Sequence, residues 1–207
     1  MIQLSYSTIN ELILEPHTWL CKQLELPRRT TDAMKEGKLA HRIIQDHVSG
    51  KVIDPRLKDI IVKFPIVEQP TFNTAGEEIP DPATHFVVKI NSEYSVHGYM
   101  DGIDPENKRF LEYKSSSTPW SIGKFYNLVQ WKIYALSGDY KEAVFITSTR
   151  DIKKVAKYST PILPKHKQDA LDFINRGIAI IEAGDFSYKG TGKSWNCNYI
   201  GCPFCSV

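Results

Sequence analysis

Asp101, Glu112 and Lys114 are the residues whose types and spacing promise chemistry. Glu112 and Lys114 lie two apart in the run Arg109 to Ser115. In a strand, residues i and i+2 point to the same face, so the pair projects together. Asp101 sits near the end of an earlier apolar-alternating run, Ser95 to Ile103. Between the two runs, Asp104-Pro105-Glu106-Asn107 is a turn signal with proline in a favoured position. A hairpin would therefore bring Asp101 alongside Glu112 and Lys114. Two carboxylates and an ammonium on one face are costly to assemble unless a cation and an anionic substrate use them. A hard divalent ion such as magnesium takes oxygen ligands and is often held by one or two carboxylates. Lys114 then remains as a compact point charge for a phosphate or an attacking water. An isolated Glu-x-Lys is commonly no more than a surface ion pair. Asp101 and the helix that follows argue against that reading here.

These residues need elements to position them. The stretch Ser121 to Leu136 reads as one helix, capped by Ser121 or Thr118 and stopped by Gly138 and Asp139. Gln130 and Tyr134 are four apart and share a face of it. Thr31 to Val48 carries a helical apolar pattern with His41 inside it. By itself such a histidine is more often packed than ligating, and His47 reads as surface. Ser5 to Leu26 reads as an N-terminal helix, capped by Ser7 or Thr8 and broken or kinked at Pro16. Strands are expected at 64–72, His85 to Asn91 and Glu142 to Thr149, with Leu57 to Phe64 helical or leading into the first of them. A last helix runs from Pro164 to Ala183 and ends at Gly184.

Ser115-Ser116-Ser117-Thr118 is either a phosphate-contacting segment or a plain polar loop. Between Arg150 and Lys167, six basic residues face a single acid, Asp151. Arg150, Lys153, Lys154, Lys157, Lys165 and Lys167 form either a backbone-contacting strip or a solvated face.

The chain has 207 residues, which suits one domain: N-terminal helices over 1–50, a core over 60–183 and a cysteine-bearing tail over 184–207. Its 42% hydrophobic and 24% charged content is ordinary for a globular protein. Net charge is only +2, so any nucleic-acid surface must be local. No membrane span and no signal peptide is legible, and an intracellular location is expected.

Gly98-Tyr99-Met100-Asp101, Glu112-Tyr113-Lys114 and Gln130-Trp131-Lys132-Ile133-Tyr134 resemble, in order and spacing, the motifs of the PD-(D/E)XK nucleases. The resemblance is to the RecB-like branch, which includes the CRISPR adaptation exonucleases and related phage and mitochondrial exonucleases. It covers most of the chain. Gly37-Lys38-Leu39-Ala40-His41 matches the Gly-x-x-x-His helix of that branch, whose histidine joins the metal site. The opening stretch, SYSTINELILEPHTWLC, resembles its Ser/Thr-capped first helix. The resemblance implies an α/β fold of restriction-endonuclease type, with a mixed central sheet flanked by helices.

The site that the resemblance implies has Asp101, Glu112 and Lys114 as catalytic residues. Metal ligands would be His41, Asp101, Glu112 and the Tyr113 carbonyl, and Gln130, Tyr134, Ser115 and Ser116 would lie along the nucleic acid. The expected cofactor is magnesium or manganese, a histidine ligand making manganese plausible. The expected function is metal-dependent DNA cleavage, as an exonuclease on single strands or ends, in repair, recombination or phage or CRISPR DNA processing. Protein partners in a recombination or adaptation complex would fit. A nucleic-acid-binding or interaction subunit with an idle site is the alternative.

Cys197, Cys202 and Cys205 crowd the last eleven residues, with intervals of four and two that let three thiolates converge on one metal. Cys21 is the fourth cysteine. Some RecB-like nucleases join their termini through a four-iron, four-sulfur cluster on one early and three late cysteines, which matches this distribution. The family's early cysteine typically precedes a proline, whereas here Glu15 precedes Pro16 and Cys21 comes six residues later. Zinc suits a Cys-x-x-Cys hairpin as well, and ordinary thiols are the third reading.

Overall fold

The computed structural model describes residues 1–17, 19–20, 31–68, 71–72, 78–79 and 81–187. All four cysteines lie outside these residues, so the expected cysteine site does too. In chain order the strands are β1 (Ile2–Leu4), β2 (Ile66–Val67), β3 (Thr71–Phe72), β4 (Glu78–Ile79), β5 (His85–Lys89), β6 (Tyr94–Tyr99), β7 (Gly102–Asp104), β8 (Arg109–Ser116), β9 (Glu142–Thr149) and β10 (Val155–Pro161). The helices used below are α1 (Tyr6–Leu14), α2 (Asp32–Val48), α3 (Ile122–Asn127), α4 (Gln130–Tyr134) and α5 (Pro164–Ala183).

A five-stranded mixed sheet, ordered β10-β9-β8-β7-β2, forms the centre, with β8 in its middle. Strands β8 and β9 run parallel, and α3 and α4 lie on the crossover between them. A three-stranded sheet, β1-β6-β5, and a two-stranded pair, β3-β4, complete the strands among the described residues. The α/β expectation is met.

Strand β8 reads Phe110-Leu111-Glu112-Tyr113, all buried, because both faces of the central sheet are covered. Its side chains alternate between two cores. Phe110 joins Phe145, Trp131, Tyr134 and Ile174 beneath α1, α4 and α5. Leu111 and Tyr113 join Val144, Ile146, Ala40 and Ile44 beneath α2. By the same alternation Glu112 and Lys114 face the α4 side, while Tyr113 faces α2.

Local physics explains most boundaries. Thr31 caps α2 by accepting the Met34 N–H, and Ser121 caps α3 by accepting that of Lys124. Gly184 ends α5 with φ of 63°, a left-handed conformation that glycine adopts without strain. Asp104 builds the β7–β8 turn by accepting from Asn107 N and Nδ2 and from Arg109 Nε. Among the described residues no helix is long and apolar enough to cross a membrane.

Five expectations need correction. Ser5, not Ser7 or Thr8, caps α1, which stops at Leu14 just before Pro16. The run 95–103 is not one strand: it breaks at Met100-Asp101, where the chain leaves the three-stranded sheet for the central one. The helix expected over 121–136 is two helices, because Leu128 takes an extended conformation. The Trp131 indole N–H donates to the Phe125 carbonyl at 2.7 Å and serves that break. The strand expected over 64–72 is two short strands in different sheets, β2 beside β7 in the central sheet and β3 paired with β4, while 57–64 takes the second of its two readings and leads into β2 with no α-helix. His47 is buried: it accepts the Asp54 N–H at Nδ1 and so donates from Nε2 to the Ile60 carbonyl.

Strand β10 lies unannounced within the basic run, and it divides that run. Arg150, Lys153 and Lys154 sit at the turn beside the end of β8, while Lys165 and Lys167 follow the far end of β10. Seven strand residues place the two groups roughly 20 Å apart. They are not one strip.

Helix α1 rests on α5 through a close approach, and a Cβ built on Gly177 would stand 2.7 Å from the Ile9 Cγ2 methyl. Gly177→Ala should therefore destabilise the protein by about 1–3 kcal/mol, despite a gain in helix propensity of about 1 kcal/mol. Ile9→Ala, which removes that methyl, should cost less in the Gly177→Ala chain than in the wild type. Additive effects in a chemical-denaturation double-mutant cycle would refute the contact.

Candidate metal-dependent active site

The corner at Asp101 is where the site begins. The Asp101 Oδ2 accepts the Tyr113 backbone N–H, which fastens the corner to β8. Its Oδ1 lies 3.1 Å from His41 Nε2, presented by α2 from the Tyr113 side. The His41 and Tyr113 rings pack with centroids 5.1 Å apart. Gly37, one turn earlier on α2, lets that helix close on β8: a Cβ there would sit 3.2 Å from Ser115 Oγ.

A residue that the sequence reading passed over completes the cluster. Glu68 follows β2, and its backbone N–H donates to the Asp101 carbonyl at 3.2 Å. One ligand atom each from His41, Glu68 and Asp101 lie within 4.8 Å of one another, a triad able to hold a metal ion. Gln45, buried one turn after His41, places Nε2 3.2 Å from His41 Nε2 and 3.5 Å from Glu68 Oε2. The only trace of Glu68 in the sequence is an acid closing a short apolar run, Phe64 to Val67, much as Asp101 closes its own. Nothing in that trace says that the two runs meet. Tyr6, at the start of α1, was likewise unassigned. Its hydroxyl is pushed up by burial while the nearby Lys114 charge opposes the shift.

Glu112 and Lys114 share a face, as their spacing predicts. The Lys114 ammonium is in ion-pair contact with Glu112 Oε1 and donates to Gln130 Oε1 at 2.9 Å. Gln130 in turn donates from Nε2 to the Tyr134 hydroxyl at 2.6 Å. The five-residue helix α4 thus keeps the Gln130–Tyr134 pairing although the longer helix does not form. Ser115 lies against Gly37, while Ser116 donates its hydroxyl to the Thr118 carbonyl and is committed to its own turn.

The electrostatics favour an added cation. Glu112 is fully buried, with the Lys114 ammonium and the Tyr134 hydroxyl as the donors that lower its pKa. Burial pushes its carboxyl up to about 7, Lys114 pulls it down, and the Asp101 charge pushes it further up. For Asp101, burial also opposes ionisation, but the His41 and Lys114 charges and the Tyr113 N–H outweigh it and hold the carboxyl below the usual range. Burial disfavours the charged form of His41, yet Asp101 outweighs it and raises the imidazole.

His41 Nε2 faces two demands. With a proton it donates to Asp101; without one it accepts from Gln45. The bare, neutral nitrogen is the form that ligates a metal. An oxygen-rich set with one imidazole fits magnesium or manganese.

A carboxyl raised on folding contributes stability that is present below its ordinary pKa and lost as pH rises through the folded value. Between pH about 4.5 and 7, the metal-free protein should therefore lose at most about 3 kcal/mol through Glu112. Asp101 does not offset this, since its contribution is lost at lower pH. Urea titrations in EDTA should show that slope in the wild type and its absence in Glu112→Gln. An equal slope in both would show that Glu112 does not carry the strain.

No family model and no curated protein matches this chain. Solved structures do. SSO0001 is similar with a TM-score of 0.52 at 15% identity, over 97% of this chain and 86% of that one. An alkaline exonuclease from Laribacter hongkongensis is similar with a TM-score of 0.52 at 10% identity, over 88% of this chain and 89% of that one. The same exonuclease in complex with dAMP is similar with a TM-score of 0.52 at 9% identity, over 87% of this chain and 88% of that one. At these identities the likeness shows the fold alone: the chain shares the fold of these structures, which is consistent with the PD-(D/E)XK-like fold that its three ordered motifs resemble.

Proposed function

We propose that this chain is a divalent-metal-dependent deoxyribonuclease, acting as an exonuclease on single strands or DNA ends. The observation that carries the reading is the gathering of His41, Glu68 and Asp101 within 4.8 Å, beside the buried Glu112–Lys114 pair. Its occurrence on a fold shared with an alkaline exonuclease supports it. His41, Glu68, Asp101, Glu112 and the Tyr113 carbonyl would hold magnesium or manganese. Such an ion supplies Lewis acidity toward a phosphoryl oxygen and lowers the pKa of a nearby water.

The chain's own residues do the rest. Lys114, raised by Glu112 and Asp101 against the cost of burial, stays protonated at neutral pH. It orients the attacking water or meets charge that develops on the phosphate. Gln130 fixes the ammonium by accepting from it, and the Tyr134 hydroxyl accepts from Gln130. Tyr134 itself stays neutral, since burial and the neighbouring carboxylates raise its pKa well above the usual value.

In a digestion assay on end-labelled and circular DNA, Lys114→Ala should lower cleavage by about 10²-fold or more while divalent-ion binding survives. Asp101→Ala should abolish both. His41→Ala and Glu68→Ala should raise the metal concentration needed for half-maximal activity by roughly 10-fold or more. Full activity of purified Lys114→Ala would sink the assignment. So would wild-type protein that binds the ion and leaves every DNA intact.

For Cys21, Cys197, Cys202 and Cys205, the reading we carry forward is a four-iron, four-sulfur cluster joining the termini. Protein purified without oxygen should then be brown and contain iron and sulfide, and Cys202→Ser should bleach it and lower the melting temperature. Colourless protein with stoichiometric zinc would replace the cluster by zinc. Metal-free protein with unchanged stability in Cys202→Ser would leave ordinary thiols.

A further inference from the structure

A groove of about 480 Å³ opens where β8 and β9 end, lined by Glu36, Leu39, Ser117, Thr149, Arg150 and Asp151. One wall is the N-terminal half of α2, which lies against the end of β8 at Gly37 and Ser115 and carries His41 one turn later. The other wall is two turns tied together: Ser116 pairs with Thr149 in register, and the Arg150 N–H donates to the Ser116 carbonyl at 3.2 Å. Ser117 is three residues beyond Lys114, roughly 10 Å along the strand direction. The groove thus opens roughly 10 Å from Lys114, a nucleotide or two from the candidate active site.

The charges in the groove are unequal in their commitments. The Asp151 carboxylate is already engaged: Oδ1 accepts from Thr149 Oγ1 at 2.6 Å and from Lys153 N at 3.1 Å, and Oδ2 lies 3.2 Å from Lys153 Nζ. Among the described residues the Arg150 guanidinium has no ion-pair partner and is only partly exposed. Its backbone is pinned to Ser116, so its position relative to β8 is set. Glu36, exposed on the opposite rim, makes the α2 wall unfavourable for an anion and leaves the Arg150 side as the seat. Leu39, 62% exposed, adds an apolar surface next to it. A planar guanidinium beside a hydroxyl is the donor set that suits a phosphate diester.

We propose that this groove is a phosphate subsite for the DNA strand beyond the scissile position, with Arg150 as its anchor, Ser117 as a second donor and Leu39 beneath the sugar or base. The proposal rests on the nuclease reading of the adjoining site and adds the path of the strand through it.

The test is fluorescence anisotropy with a labelled single-stranded oligonucleotide, in EDTA, across a salt series. Arg150→Ala should weaken binding roughly tenfold at low salt and flatten the slope of log affinity against log salt by about 0.7, the loss of one phosphate contact. Arg150→Lys should restore the slope but only part of the affinity, because a point charge replaces a bidentate donor. Glu36→Gln should strengthen binding. The melting temperature and its rise with divalent ion should be unchanged in all three, which separates a lost contact from misfolding. Wild-type binding and cleavage retained together with an unchanged slope in Arg150→Ala would overturn the subsite alone. Absence of DNA binding by the wild type would overturn the subsite and the nuclease reading together.

Discussion

Everything about this site follows from crowding carboxylates where water is scarce. Glu112 has no exposure and Asp101 little, and each opposes the ionisation of the other. An unpaired charge in such a place costs several kcal/mol, so the protein must supply counter-charge or stay protonated. It supplies two cations, His41 for Asp101 and Lys114 for Glu112. That division leaves Asp101 ionised and Glu112 poised near neutrality. A carboxyl that burial raises in spite of a paired lysine is one that an incoming cation can ionise. The strain thus points toward the occupant of the site.

Strand β8 makes the division possible. With both faces covered, its alternation sends Glu112 and Lys114 to the α4 side and Tyr113 to the α2 side. The backbone between them is not idle: the Tyr113 N–H holds Asp101 at the strand edge. Three carboxylates and two cations are therefore organised by three consecutive residues of one strand and by elements packed on either side of it. Gly37 and Gly102 matter for the same reason. A Cβ on Gly102 would press on the Ile66 carbonyl and on Leu111, and one on Gly37 would crowd Ser115, so either would move a wall of the site.

Much of the architecture was legible because it rests on local rules. The spacing of Glu112 and Lys114 is strand geometry, the turn at 104–107 is side-chain capping by Asp104, and Gly184 is the usual left-handed end of a helix. The errors came where tertiary contacts override those rules. One expected strand, 95–103, is two because Asp101 turns the corner between sheets. One expected helix is two because Leu128 turns extended, with the Phe125 carbonyl accepting both the Leu128 N–H and the Trp131 indole N–H across the break. His47 was misplaced because its partners, Asp54 N and the Ile60 carbonyl, lie in irregular chain that carries no periodic signal.

The sequence by itself determined which residues could do chemistry: the types and order of His41, Asp101, Glu112, Lys114, Gln130 and Tyr134, each set by a short-range spacing on one element. Only the tertiary structure decided that Glu68 stands with His41 and Asp101, that Glu112 is stripped of water, and that the basic run is divided by a strand. The reason is one of range. Helix and strand periodicities act over a few residues, while burial and convergence are properties of segments far apart in sequence. Glu68 is thirty-three residues from Asp101, and only the packing of α2, β2 and β8 around one corner brings the two together.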